Sequence, residues 1–134
     1  VLSDKSVSNI NAADFDAVVC PGGMPGATNL RDSDKVVSVI KEAYDAGKIV
    51  AAICAAPMVL EKAGVLQGKN FTMYPGMESH APSGNYKNNV YVVQDGSVIT
   101  GAGPAATFEF ALTLVSNLQG KEIADQVAQG MLIK

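Results

Sequence analysis

The sequence predicts an α/β domain on a mostly parallel sheet, and three observations carry that prediction. Residues 15–20 and 48–53, apolar apart from Asp16 and Lys48, have the length expected for strands buried on both faces. Between them Val36, Val37, Ile40, Ala43 and Tyr44 recur at helical spacing. The resulting alternation of strand, helix, strand and helix implies parallel strands joined by right-handed crossovers. With 134 residues the chain has the size of one domain with a real core, and no repeat or linker divides residues 1–134.

Each element has a local cause. Val1-Leu2, followed at once by Ser3-Asp4-Lys5, reads as the end of a strand that starts upstream. The domain is therefore expected to be N-terminally incomplete. Residues 3–14 form a polar connection with one helical turn near 10–13. The strand 15–20 ends in Pro21-Gly22-Gly23-Met24-Pro25-Gly26, a turn whose glycines allow close approach to a ligand. Asp32-Ser33-Asp34 caps the first helix and Gly47 closes it. Strand 48–53 ends at Cys54, and Pro57 opens a helix to about residue 63, because proline wastes no amide in a first turn. After a connector, 71–73 reads as a brief strand and 74–87 as a long loop carrying Glu78, His80 and Tyr86. Strands 89–94 and 97–100 flank Asp95-Gly96, a hairpin signal. Gly101-Ala102-Gly103-Pro104 leads into a helix over 105–118, with Phe108, Ala111, Leu112 and Val115 predicted to face the core. Gly120 breaks it, and 121–129 forms a last surface helix.

Composition narrows the function. Hydrophobic residues make up 48% and charged ones 17%, the balance of a closely packed globular domain. A net charge of −3 with no basic cluster argues against nucleic acid as the primary partner. No apolar run is long enough to span a bilayer, so no membrane partner is expected. The two cysteines, Cys20 and Cys54, both end buried-strand patterns, which predicts reduced thiols and a cytoplasmic location.

Strand, sharp turn bearing Cys54, then helix is the cysteine form of a nucleophile elbow. Unpaired N–H groups at the start of the helix favour a thiolate there. The alternative, a small buried hydrophobe, fits Cys54 alone equally well. Gly22 and Gly23 sit at the end of the neighbouring strand, and their loop reads equally as a plain tight turn or as a pair of backbone N–H groups aimed at an anionic atom. Two distant cysteines and one histidine do not make a metal site, and neither a dinucleotide, a Walker nor a serine-elbow motif is present. What remains is a thiol and an oxyanion-type donor pair, the minimum for attack on a carbonyl.

Three segments, 15–23, 51–57 and 103–111, resemble the ThiJ/PfpI superfamily, in the branch of the parkinsonism-associated protein deglycase and YajL. The resemblance implies a flavodoxin-like sandwich, a homodimer and no cofactor or metal. It matches the reactive cysteine to Cys54 and the oxyanion-type amides to Gly22 and Gly23, with Ala55 beside them. It also implies a preceding strand–helix segment of roughly 50 residues, judged by the size of such motifs. That segment carries a protonated glutamate for which residues 1–134 have no equivalent, so it is an expected partner. The family histidine aligns with Tyr74, and a tyrosine is a poor general base but a capable hydrogen-bond donor. His80, six positions on, is a second auxiliary candidate.

The implied activity is that of a glyoxalase and deglycase. The Cys54 thiolate attacks a small carbonyl substrate, a 2-oxoaldehyde such as methylglyoxal or its early adduct on a protein amine. The alternative is a redox sensor or redox-regulated chaperone with an oxidisable Cys54. An intracellular cysteine peptidase is weaker, because it needs a Cys-His pair. A class I amidotransferase needs a downstream His-x-Glu that is missing.

Overall fold

The computed structural model describes residues 1–134. Two 3-10 turns, Val7–Asn9 and Ala12–Asp14, precede strand β1 (Ala17–Cys20). A short helix α1 (Gly26–Arg31) leads into α2 (Asp34–Asp45). Strand β2 (Ile49–Ile53) runs through Cys54 into α3 (Pro57–Lys62). Next come β3 (Asn70–Phe71), a 3-10 turn at Glu78–His80, and β4 (Asn85–Tyr86). The hairpin β5 (Val92–Asp95) and β6 (Val98–Gly101) follows. A 3-10 turn, Pro104–Ala106, then enters α4 (Thr107–Gln119), and α5 (Lys121–Gly130) is last.

The main sheet has the order β1-β2-β6-β5, parallel except for the β5–β6 edge, while β3 and β4 form a separate parallel pair. Strand alternation sends Val18, Cys20, Val50, Ala52 and Val98 to one face. There Val39, Ile40 and Ala43 of α2 and Met58, Val59 and Leu60 of α3 complete a core of 20 buried residues. Ala51 and Ile99 point the other way and meet Phe110 of α4, a core of three buried residues. The molecule is thus an α/β sandwich with helices on both faces, one face far more thickly covered than the other.

The caps explain where α2 starts and stops. Ser33 Oγ accepts from the Val36 N–H at 3.4 Å. Gly47, at φ 77°, lets its own N–H reach the Tyr44 carbonyl and that of Lys48 the Ala43 carbonyl. This paired closure needs a left-handed residue, which glycine supplies without strain.

Several sequence expectations need correction. The glycine-rich turn after β1 continues into α1, because the Gly23 carbonyl accepts from Ala27 and the Pro25 carbonyl from Asn29. The strand expected at 71–73 pairs only at Asn70 and Phe71. Thr72 instead donates its N–H to the Thr100 hydroxyl at 2.9 Å, inside the core. The hairpin turns one residue later than Asp95-Gly96. Asp95 pairs with Val98, and its carboxylate accepts from the Asn70 N–H, so Gly96 at φ 61° and Ser97 make the turn. On α4 the residue that faces the sheet is Phe110, 5% exposed, whereas Phe108 and Ala111 are exposed. Phe110 packs closely over Gly101, where a Cβ would lie 2.9 Å from Ile53 and 3.1 Å from the Phe110 ring.

Candidate functional site

Cys54 takes φ 64°, a left-handed conformation that a non-glycine residue holds only when its surroundings enforce it. Two neighbouring segments do so here. The Cys54 N–H donates to the Gly101 carbonyl at the end of β6, and the Cys54 carbonyl accepts from the Tyr74 N–H, both at 2.9 Å. The Ala56 N–H closes the elbow onto the Ile53 carbonyl at 3.1 Å. Ala52, Ala55 and Ala56 are buried, and their small side chains let the turn pack tightly. The thiol itself is half-buried and free.

The glycine turn lies directly against this elbow. A Cβ on Gly22 would come within 2.6 Å of the Cys54 Cβ and 2.7 Å of the Ile53 carbonyl oxygen, so only glycine fits. It would also sit 3.4 Å from the Ala55 nitrogen, so Gly22 and Ala55 come close together at the cysteine. Gly23 follows at φ 90°. None of the N–H groups of Gly22, Gly23 and Ala55 donates to a backbone carbonyl. The turn thus brings Gly22 against the cysteine and leaves these three N–H groups unspent within the backbone.

The auxiliary residues separate. Tyr74 is tied to the cysteine through its backbone, and its ring lies on Gly103, where a Cβ would be 3.4 Å from the ring. His80 sits on the exposed turn Glu78–His80, which is held by its own N–H on the Met77 carbonyl, and no hydrogen bond joins it to the elbow. Cys20 differs sharply from Cys54. It is 3% exposed, and desolvation pushes its thiol from the ordinary 9.0 up to about 11.

Sequence reasoning missed two features. Tyr91 comes to the site because its carbonyl accepts from the Ala102 N–H at 2.9 Å, and nothing in the local sequence announces that. Glu61 of α3 holds the long loop by accepting from the Ser83 hydroxyl at 2.6 Å and from its N–H at 3.3 Å.

A left-handed cysteine after a parallel strand, with free amides across a glycine turn, places the chain in the class of nucleophile-elbow α/β proteins. The sequence profile of the DJ-1/PfpI family matches residues 1–117, and the chain belongs to that family. Protein dj-1beta of Drosophila melanogaster is 40% identical over 134 residues, 99% of this chain and 72% of the fly protein. The Parkinson disease protein 7 homolog of Danio rerio is 41% identical over 122 residues, 90% of this chain and 65% of the fish protein. The crystal structure of Drosophila melanogaster DJ-1beta superposes with a TM-score of 0.93 at 40% identity, covering 100% of this chain and 73% of that one. Oxidised Toxoplasma gondii DJ-1 gives 0.87 at 36% identity, covering 98% of this chain and 72% of that one. These likenesses share the flavodoxin-like sandwich. No helix is long and apolar enough to cross a membrane.

Proposed function

We propose that this protein is a cysteine-dependent glyoxalase and deglycase. Its substrates are small 2-oxoaldehydes such as methylglyoxal, or their early adducts on protein amines. The observation that carries the reading is the elbow itself, with Cys54 at φ 64° beside the unspent N–H groups of Gly22, Gly23 and Ala55. The Cys54 thiolate adds to the aldehyde carbon and forms a C–S bond, while the carbonyl electron pair moves onto oxygen. The three amides face that developing charge. The hydrogen of the former aldehyde carbon then moves as a proton, through an enediol, to the adjacent carbon. A thioester of a 2-hydroxy acid results, and water cleaves it to return the thiolate. The sum is addition of one water, with no redox partner. Tyr74 serves as an auxiliary hydrogen-bond donor.

Lactate formation from methylglyoxal tests the reading. Cys54→Ser is expected to abolish it. Tyr74→Phe should lower turnover by about tenfold or less, and His80→Ala should leave it near the wild-type value. A loss from His80→Ala equal to that from Cys54→Ser would point instead to a Cys-His hydrolase.

A second reading is a redox sensor or redox-regulated chaperone. It is favoured by the accessibility of the Cys54 thiol and by the oxidised form of the similar Toxoplasma gondii protein. A pure sensor yields no lactate. For either reading we propose a cytoplasmic homodimer in which a strand–helix segment covers β1. Supporting this, β1 pairs only with β2, and Val19 is 44% exposed beside a trough of about 870 Å³ lined by Phe15, Ile49 and Leu118.

A further inference from the structure

Residues 70–74 are attached to the main sheet without any ladder pairing. Successive residues of an extended chain present their backbone groups to opposite edges, so residues 70, 72 and 74 turn their N–H groups the same way. None of the three finds a strand carbonyl. Asn70 donates to the Asp95 carboxylate at 2.8 Å and Thr72 to the Thr100 hydroxyl at 2.9 Å. Tyr74 donates to the Cys54 carbonyl at 2.9 Å. The opposite edge is ordinary, with the Lys69 and Phe71 carbonyls accepting from Asn85 and Lys87. Two side chains therefore register this segment on the sheet, and its third contact is the cysteine.

Thr100 closes a ring around the nucleophile. The Cys54 N–H donates to the carbonyl of Gly101, the residue after Thr100. From Thr100 the path runs through its hydroxyl to Thr72, along the chain to Tyr74, and back to the Cys54 carbonyl. Both backbone polar groups of the residue held at φ 64° are thus members of one closed circuit. Thr100 is 0% and Thr72 1% exposed, so their hydrogen bond is shut off from bulk water. The hydroxyl donates in turn to the Val93 carbonyl at 3.5 Å, which leaves its lone pairs for the Thr72 N–H. We infer that Thr100 is a positioning residue for Cys54, whose buried hydroxyl sets the register of residues 72–74 and, through the Tyr74 N–H, keeps the cysteine left-handed. A non-glycine residue stays in that conformation only while its surroundings over-determine it. Without the hydroxyl the Thr72 N–H is left buried and unpaired, and the segment shifts to find a partner. The Tyr74 N–H then leaves the Cys54 carbonyl, and the cysteine is free to turn out of the elbow. Cys54 is the reacting group in both readings above, and the role of Thr100 rests on that shared assignment.

Thr100→Val keeps the shape and removes the hydroxyl, whereas Thr100→Ser keeps the hydroxyl. In the full-length protein, exchange of single amide hydrogens is followed by NMR, and Cys54 is alkylated with iodoacetamide at fixed pH. Thr100→Val is expected to lower protection of the Tyr74 amide about tenfold or more, and that of the Asn85 and Lys87 amides less than about threefold. The rate of Cys54 alkylation should change by about threefold or more, and Thr100→Ser should restore both readouts to within about twofold of wild type. Equal losses of protection at 74, 85 and 87 would reduce Thr100 to a residue of general stability and overturn its positioning role. A less protected Tyr74 amide with unchanged alkylation would overturn it as well. Should Thr100→Val fail to fold, the wild-type protein decides. There the amides of Thr72, Tyr74 and Cys54 should have protection factors within about threefold of one another, and a Thr72 amide exchanging about tenfold faster would break the ring. Lactate formation is scored separately. The expected exchange and alkylation results, with no lactate from the wild type, would uphold the role of Thr100 and remove the glyoxalase reading.

Discussion

The two faces of the sheet are built from the same strands, yet they differ in what they can tolerate. The face under α2 and α3 packs 20 buried residues, and the one under α4 packs three. On the first, small side chains such as Ala43, Ala52, Ala56 and Ala63 let helix and sheet approach closely, and no single residue dominates. On the second, Phe110 is the main anchor, and Val19 and Leu118 are left partly in water. Cys54 stands where β2 leaves the sheet and turns into α3, so its geometry is inherited from the thick face. The lesson is that the elbow stands on the densely packed layer, while the other layer is covered by little more than Phe110.

The largest contrast is expected from matched truncations. Leu60→Ala, in the thick layer, should cost about 2–5 kcal/mol in chemical denaturation, as a fully buried leucine does. Leu114→Ala, at the edge of the thin layer, should cost about 1–2 kcal/mol. Equal costs would show that the layers are equivalent after all.

Val19→Lys sharpens the comparison next. With a segment seated on β1, as proposed, a lysine there should destabilise the full-length protein by about 2 kcal/mol or more. A change within about 0.5 kcal/mol would mean that this face works open to water.

A pH effect of similar or smaller size belongs to the thick face alone. Burial raises the Cys20 thiol from 9.0 to about 11. Between those values the unfolded chain loses its proton while the folded one keeps it, so fewer protons are bound in the unfolded state and stability falls as pH rises. The contribution is fully present below pH 9 and lost towards pH 11. It amounts to about 2–3 kcal/mol over that window. Cys20→Ala should flatten the alkaline limb of a stability-versus-pH curve; an unchanged limb would place its cause elsewhere.

The smallest perturbation is a single oxidation. At pH 7 a thiol with a pKa of about 11 is ionised to roughly one part in ten thousand. Mild peroxide should therefore convert Cys54 to sulfenate and then sulfinate while Cys20 stays a thiol, as read by peptide mass mapping. Preferential or equal oxidation of Cys20 would remove both the sensor and the enzymatic readings.

Much of this was legible in the residues. Periodicity located β1, β2, α2 and α4, because buried strands and amphipathic helices write their surroundings into the pattern of apolar side chains. The elbow was legible because strand, cysteine and Pro57 are contiguous. What escaped depends on contacts between distant segments. Phe108 and Phe110 are equally apolar, and the one that turns inward packs against Gly101, a contact that the local pattern does not show. The helix α1 was hidden behind Gly22, Gly23 and Gly26, which favour a loop by themselves. Tyr91 lies 37 positions from Cys54 in a polar stretch, and only the Ala102–Tyr91 hydrogen bond gives it a place at the site.

The fastening of the long loop has a consequence for timing. Residues 74–87 would ordinarily make a candidate lid, a segment that opens and shuts over microseconds to milliseconds and sets the pace of turnover. Here Ser83 is tied to Glu61, Gly68 donates to the Ser83 carbonyl, and Lys87 donates to the Phe71 carbonyl. Phe71 and Tyr86 close the base with their rings 5.9 Å apart. A segment stapled at its far end is not free to swing as a flap over the half-buried thiol. Ligand capture is then an encounter process, governed by diffusion and orientation, and its rate should fall with added viscogen rather than show a gating plateau.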